Sequence, residues 1–229
     1  MYYDTRILLK YLPQASRAKL VIITVSYLSF EYLMEDSNGA AQTNFYYKDW
    51  GIPRQTSVPK IADYSAIALF GIQRSRYFLL TGKMSGQDQI DESGGDANLL
   101  TTKEFDLRNG QIAVKRHEAA MKTKYIAQNI KYLDELLIAL KQRDIRAAFI
   151  TTPCFHTYYN NLNAERYERM QKEIQALSRK YGLEYANYLR DERFSPEDFF
   201  DSDHLSTQGA EKFSYILTNE IIEKYISLP

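Results

Sequence analysis

The chain has one cysteine, Cys154, in 229 residues. A single thiol excludes an internal disulfide framework and any zinc site built on cysteines. Neither sign of charge is in excess, since lysine plus arginine and aspartate plus glutamate number 29 each. A polyanionic partner held by charge alone is therefore not expected, and no nucleic acid is expected among the partners. Long apolar runs are absent too. The run LVIITV at residues 20–25 falls far short of the roughly 20 residues that cross a bilayer. The chain is expected to be soluble as it stands, and nothing in it assigns a compartment.

Apolar residues nevertheless make up 45% of the sequence, enough for the core of one large domain. Tyrosine is abundant, 19 against one tryptophan, which suits an aromatic-lined polar cleft as well as a core with hydroxyls at its edge. Residues 2–12 place Ile7, Leu8, Tyr11 and Leu12 at helical spacing, and Pro13 stops the pattern. Residues 20–25 form a continuous β-branched run, which predicts a strand buried on both faces. Residues 35–110 are less regular. Asn38-Gly39, Pro53, Pro59 and a Gly/Asp/Ser-rich stretch at 85–98 surround one apolar run at 64–80, so this part is read as an insertion or lid.

From 116 to 143, Ile126, Ile130, Leu133, Leu137 and Leu140 recur at steps of three and four, which predicts one long helix with a buried stripe. A second buried strand is expected over 147–152, ended by Pro153. A helix carrying Tyr167, Met170, Ile174, Leu177 and Tyr181 comes next, capped by Gly182. A third strand fits 183–189, and a last helix fits 210–225 with Ser206 or Thr207 as its N-cap. The alternation predicts a single α/β domain over residues 1–229, with helices layered on a parallel sheet.

In such sheets functional groups gather where strands end. Three places qualify: residues 24–29, residues 151–156 and the loop Asp201-Ser202-Asp203-His204. A histidine three residues after an aspartate lets the carboxylate orient the imidazole and stabilise its charged form, as a general base requires. The same spacing also fits a solvated turn ahead of a helix cap. Asp201, Asp203 and His204 could bind a divalent ion together with His117 or His156, but no second ligand pair has a defined spacing, so no metal or other cofactor is expected. His156, Tyr158 and Tyr27 are candidates for contact with substrate. His117 is read as the opening of a helix, and Cys154 as a small buried hydrophobe.

The block DFFDSDHLSTQGAEKFSYIL resembles the C-terminal block of the SGNH (GDSL-like) hydrolase superfamily. Ser26-Tyr27, Arg116-His117, Thr151-Thr152-Pro153 and Asp201 to His204 keep the order found in the bacterial branch associated with envelope polysaccharides. The resemblance implies a three-layer α/β/α, flavodoxin-like fold, with His204 as general base, Asp201 as its orienting acid and Asp203 pointing elsewhere. It implies a serine-type esterase or O-acyltransferase acting on acylated saccharides or related envelope esters, with envelope association for a full-length parent. The family's first block, with its nucleophilic serine, and its second, with an oxyanion glycine, are not visible. Residues 2–12 resemble the helix that comes after the second block, and residues 20–27 resemble the strand of the third. The chain is therefore expected to be the C-terminal part of a longer one, lacking its first strands. A bare strand edge would favour a homodimer.

Two roles stay open for Ser26, nucleophile or lining residue with an oxyanion donor. Without a nucleophile the chain alone would cleave activated esters no faster than a His204→Ala variant. The alternative function is a non-catalytic pseudoenzyme or glycan-binding module.

Overall fold

A computed structural model describes residues 1–37, 40–55 and 107–226. The apolar run at 64–80 and the Gly/Asp/Ser-rich stretch at 85–98 lie outside the described residues. Three strands, β1 (Leu20–Thr24), β2 (Arg146–Thr151) and β3 (Glu184–Asn187), form a parallel sheet in the order β1-β2-β3. The α/β class and the parallel sheet expected from the alternation are therefore present.

Side chains alternate across the sheet as the period of two demands. Val21, Ile23, Ala147, Phe149 and Tyr185 join one core. That core is built with α1 (Tyr2–Tyr11), α4 (Ile126–Lys141) and α6 (Ala164–Tyr181). Ile22, Ile150 and Ala186 face the other way, toward Phe213 and Ile216 of α7 (Thr207–Leu217). Phe149 of the central strand is fully buried. The cap of α6 is the expected one, since Gly182 has φ of 66°, a conformation with little penalty only for glycine.

The long helix expected over 116–143 is two helices. α3 (Gly110–Ala120) ends at Met121, whose backbone is extended, and α4 begins at Ile126. A tertiary contact makes the break. Met121 bridges to Tyr32, and the Lys122 N–H donates to the Glu31 carbonyl at 2.7 Å. Asn129 of α4 completes the clamp by donating to the carbonyls of Phe30 at 2.8 Å and Tyr32 at 3.0 Å. The buried Glu31 carboxylate also accepts from Arg166 at 2.5 Å and Arg169 at 2.6 Å. The segment after β1 is thus held from two directions, and it carries Ser26 and Tyr27.

β1 packs against a core on each face but is not fully buried. Its residues are half-buried, with Thr24 exposed, because among the described residues β1 pairs with β2 alone. The Arg146 N–H donates to the Lys19 carbonyl and the Val25 N–H to that of Ile150. By the strand's alternation, the backbone groups of Leu20, Ile22 and Thr24 then point to the free side. An apolar groove of about 480 Å³, lined by Leu8, Val21, Ile23, Leu28, Met34 and Leu133 among others, runs beside them. So hydrophobic a strand is expected to have a neighbour on each side, and among the described residues β1 has one, β2.

Candidate functional site

All three strands deliver residues to one cavity of about 190 Å³ at their C-terminal ends. Ser26 and Tyr27 come from the turn after β1, Thr152 and Cys154 from the turn after β2, and Leu189 lies just beyond β3. The remaining wall includes Asp203 and His204 of the loop before α7, His117 of α3 and Tyr158 of α5 (His156–Tyr159).

The loop is a small folded unit. Phe199 bridges to Leu205, and the Phe200 N–H donates to the His204 carbonyl at 2.9 Å, leaving Asp201 to His204 at the tip. The base is anchored by Asp198, which is buried and accepts from Lys212 at 2.7 Å and from the Ser195 N–H at 2.9 Å. Ser206 is the N-cap of α7, its hydroxyl accepting from the Gly209 N–H at 3.2 Å. At the tip, Asp201 Oδ1 accepts the N–H groups of Asp203 at 3.0 Å and His204 at 2.8 Å. The same carboxylate meets His204 Nδ1 at 2.9 and 3.0 Å. Nδ1 therefore carries the proton, and Nε2 remains for other partners.

These contacts fix opposite shifts. The hydrogen bond that His204 donates to Asp201 raises the histidine's pKa above the ordinary value, against its burial. Burial works to raise that of Asp201, but the bonds from His204 and from the two amides outweigh it, and the net shift is downward. The raised histidine contributes stability below about pH 6.5, which is lost as pH rises through its folded value. The depressed aspartate contributes stability above about pH 4, which is lost as pH falls. The contribution of the pair should then peak between about pH 4 and 6.5. Urea unfolding of the wild type and of His204→Gln across pH 3 to 9 should show the gap between them narrowing on both sides of that window. A gap that is flat with pH would remove the pair's ionic character.

Ser26 lies in the same wall as His204, and its neighbourhood narrows its role. Its N–H donates to Ser29 Oγ at 2.9 Å, so that amide is not free to bind an oxyanion. Its hydroxyl meets Ser29 Oγ at 3.1 Å. Tyr27 is buried and donates from its hydroxyl to Glu118 at 2.6 Å, with a pKa raised by burial and by that bond. Cys154 is also pushed up by burial, which leaves its thiol inert at neutral pH.

Three expectations are corrected. His156 does not reach the cavity: it is the first residue of α5, exposed, with its ring against Phe155 at 4.3 Å. Helical geometry turns Tyr158, two residues on, to the opposite side, where it is buried in the wall. Asp203 does not point elsewhere. Its carboxylate is 8% exposed and lies 3.5 Å from His117 Nε2 and 3.7 Å from His204 Nδ1. His117 sits in the last turn of α3 rather than at the opening of a helix, and its Nδ1 lies 2.8 Å from the Tyr158 hydroxyl. Nothing in the local sequence signals that placement, because 86 residues separate His117 from Asp203. The ligand atoms of Asp201, Asp203 and His204 lie within 4.8 Å of one another. Asp201 already accepts two amides and an imidazole, so the cluster is read as a hydrogen-bonded group and not as a metal centre.

Comparison with models of protein families, with curated proteins and with solved structures returned no match. The function must therefore be argued from the site alone.

Proposed function

We propose that the cavity is a serine-type acyl-transfer site of an esterase or O-acyltransferase, with acylated saccharides or related esters as substrates. His204 is its general base and Asp201 the residue that orients it. The observation that carries this reading is the Asp201–His204 pair at the C-terminal edge of the sheet, in one cavity with Ser26. In the reaction, Ser26 Oγ attacks the acyl carbonyl while His204 Nε2 accepts the serine proton. The imidazolium so formed is stabilised by Asp201 and then protonates the departing alcohol. Water or a sugar hydroxyl next gives its proton to His204 and attacks the acyl-serine, and His204 returns that proton to Ser26 Oγ as the acid or new ester is released. The parallel sheet, with the Asp201–His204 loop at its C-terminal edge, supports an SGNH-like, flavodoxin-like domain.

Because the Ser26 amide is taken by Ser29, the oxyanion role is closed to it, and Ser26 Oγ, in one cavity with His204, is taken as the nucleophile. The test is hydrolysis of p-nitrophenyl acetate by the wild type, His204→Ala and Ser26→Ala. The wild type should exceed both variants, and the two should agree. Equal rates for all three would overturn the catalytic reading. That outcome would leave the glycan-binding one, which Tyr27, Tyr158 and Tyr167 in the wall favour and which saccharide titration would check. A Ser26→Ala variant as fast as the wild type, with His204→Ala slow, would keep His204 as the base and remove Ser26.

A further inference from the structure

The chain has only three histidines, and two of them share this cavity. Asp203 lies between them. Its carboxylate is buried, with Ser202 Oγ donating to Oδ1 at 3.2 Å. Its Oδ2 faces His117 Nε2 at 3.5 Å, His204 Nδ1 at 3.7 Å and Arg116 at 3.9 Å. A ring nitrogen facing a carboxylate at that distance is favourable only if it bears a proton. The Tyr158 hydroxyl on the far side of the His117 ring therefore donates to Nδ1, and the Nε2–H tautomer is selected. Tyr158 can hold this role over a wide pH range, since burial raises its own pKa.

We propose that His117 is a positioning residue of this site: held by Tyr158, it keeps the Asp203 carboxylate turned into the cavity, so that two carboxylates rather than one face His204. The catalytic meaning of this arrangement rests on the acyl-transfer reading, but its geometry does not. A second carboxylate close to the ring adds to the stabilisation of an imidazolium, the species formed each time His204 takes a proton. His117 itself stays neutral at neutral pH because burial, the largest influence on it, disfavours its charged form despite Asp203. A neutral donor orients Asp203 without the repulsion a second cation would exert on His204.

Other titratable or charged groups surround His204. Asp201 and Asp203 belong to its own loop, Arg116 and His117 to α3, Cys154 to the turn after β2, and Tyr27, Tyr158 and Tyr167 to the opposite wall. Of these, Asp201 contacts the ring directly and would dominate its titration. The contribution of Asp203 must therefore be read by difference.

The test is proton NMR titration of the three histidine rings in the full chain, each assigned by single substitution. Asp203→Asn should lower the proton affinity of His204 about threefold or more, a discounted share of what an opposite charge at this range confers, because the ring is partly exposed. His117→Phe should lower it in the same direction while Asp203 is present. In the Asp203→Asn background the same change should do nothing further, because the effect of His117 travels through that carboxylate. His117→Gln, whose amide nitrogen lies near the place of Nε2 and can donate to Asp203, should hold the His204 midpoint nearer the wild-type value than Phe does. It also serves as the test variant should the Phe variant fail to fold. A His204 midpoint unmoved by Asp203→Asn, or shifted equally by His117→Phe in both backgrounds, would overturn the proposal. A chain that passes this titration but cleaves no ester retains the positioning role and loses the acyl-transfer reading, so the two failures are distinguishable.

Discussion

A Gly209→Ala variant is expected to lose about 3 kcal/mol of stability or more, enough to unfold a marginal chain. A methyl group built on Gly209 would stand 1.9 Å from the Asp198 carbonyl oxygen, 2.7 Å from its carbon and 3.0 Å from its Cα. All three atoms are backbone, so rotation of a side chain cannot relieve the contact. The Asp198 carbonyl also cannot retreat without loss, since it accepts the Ser206 N–H at 2.9 Å, while its carboxylate is tied to Lys212 and Ser195. The strain would fall on the base of the loop that carries Asp201 and His204. Urea unfolding measures the loss, and Ala210→Gly at the next, exposed position is the control, expected to cost only about 1 kcal/mol through helix propensity. An unfolding midpoint for Gly209→Ala equal to that of the wild type would show that α7 can move off the loop, contrary to the close approach described.

The second large effect is on chemistry. Asp201→Asn should lower His204-dependent ester hydrolysis by about 10³- to 10⁴-fold, the scale at which a misoriented imidazole disables a serine-type site. The asparagine keeps an oxygen where Oδ1 now accepts the Asp203 and His204 amides, so the loop tip should hold. Its amide nitrogen, however, would present N–H toward Nδ1, favouring the tautomer with the proton on Nε2. That tautomer offers no lone pair to the serine proton. His204 would also lose the partner responsible for its raised pKa. The rate should therefore fall at every pH, with thermal stability near pH 8 little changed. A rate within tenfold of the wild type would mean that Asp201 only shapes the turn.

Local features of the chain were legible without a structure because their causes are local. Gly182 lies just past an apolar stripe and caps α6 in the left-handed conformation it alone adopts cheaply. Ser206 caps α7, and the Asp201–His204 pair forms within four residues of one turn. The three β-rich runs became three parallel strands, since their hydrophobic patterns could be satisfied only in a sheet covered by helices.

The tertiary structure alone decided what depends on contacts between distant segments. The helical periodicity through Met121 gave no sign of a break, because the break is made by Tyr32 and Glu31, about 90 residues earlier, whose backbone groups take partners at Met121 and Lys122. Half-burial of β1 comes from which strands lie beside it, a property of neighbours that its own aliphatic run cannot report. The exclusion of His156 and the inclusion of His117 were invisible for the same reason. One turn of α5 aims Tyr158 inward and His156 outward, and α3 must pack beside the last loop before His117 can meet Asp203. The sequence by itself determined the fold class and one histidine–aspartate pair, because short-range periodicity and turn chemistry are written in consecutive residues. The composition of the wall around that pair was settled only by packing, where residues remote along the chain become neighbours through the burial of apolar surface.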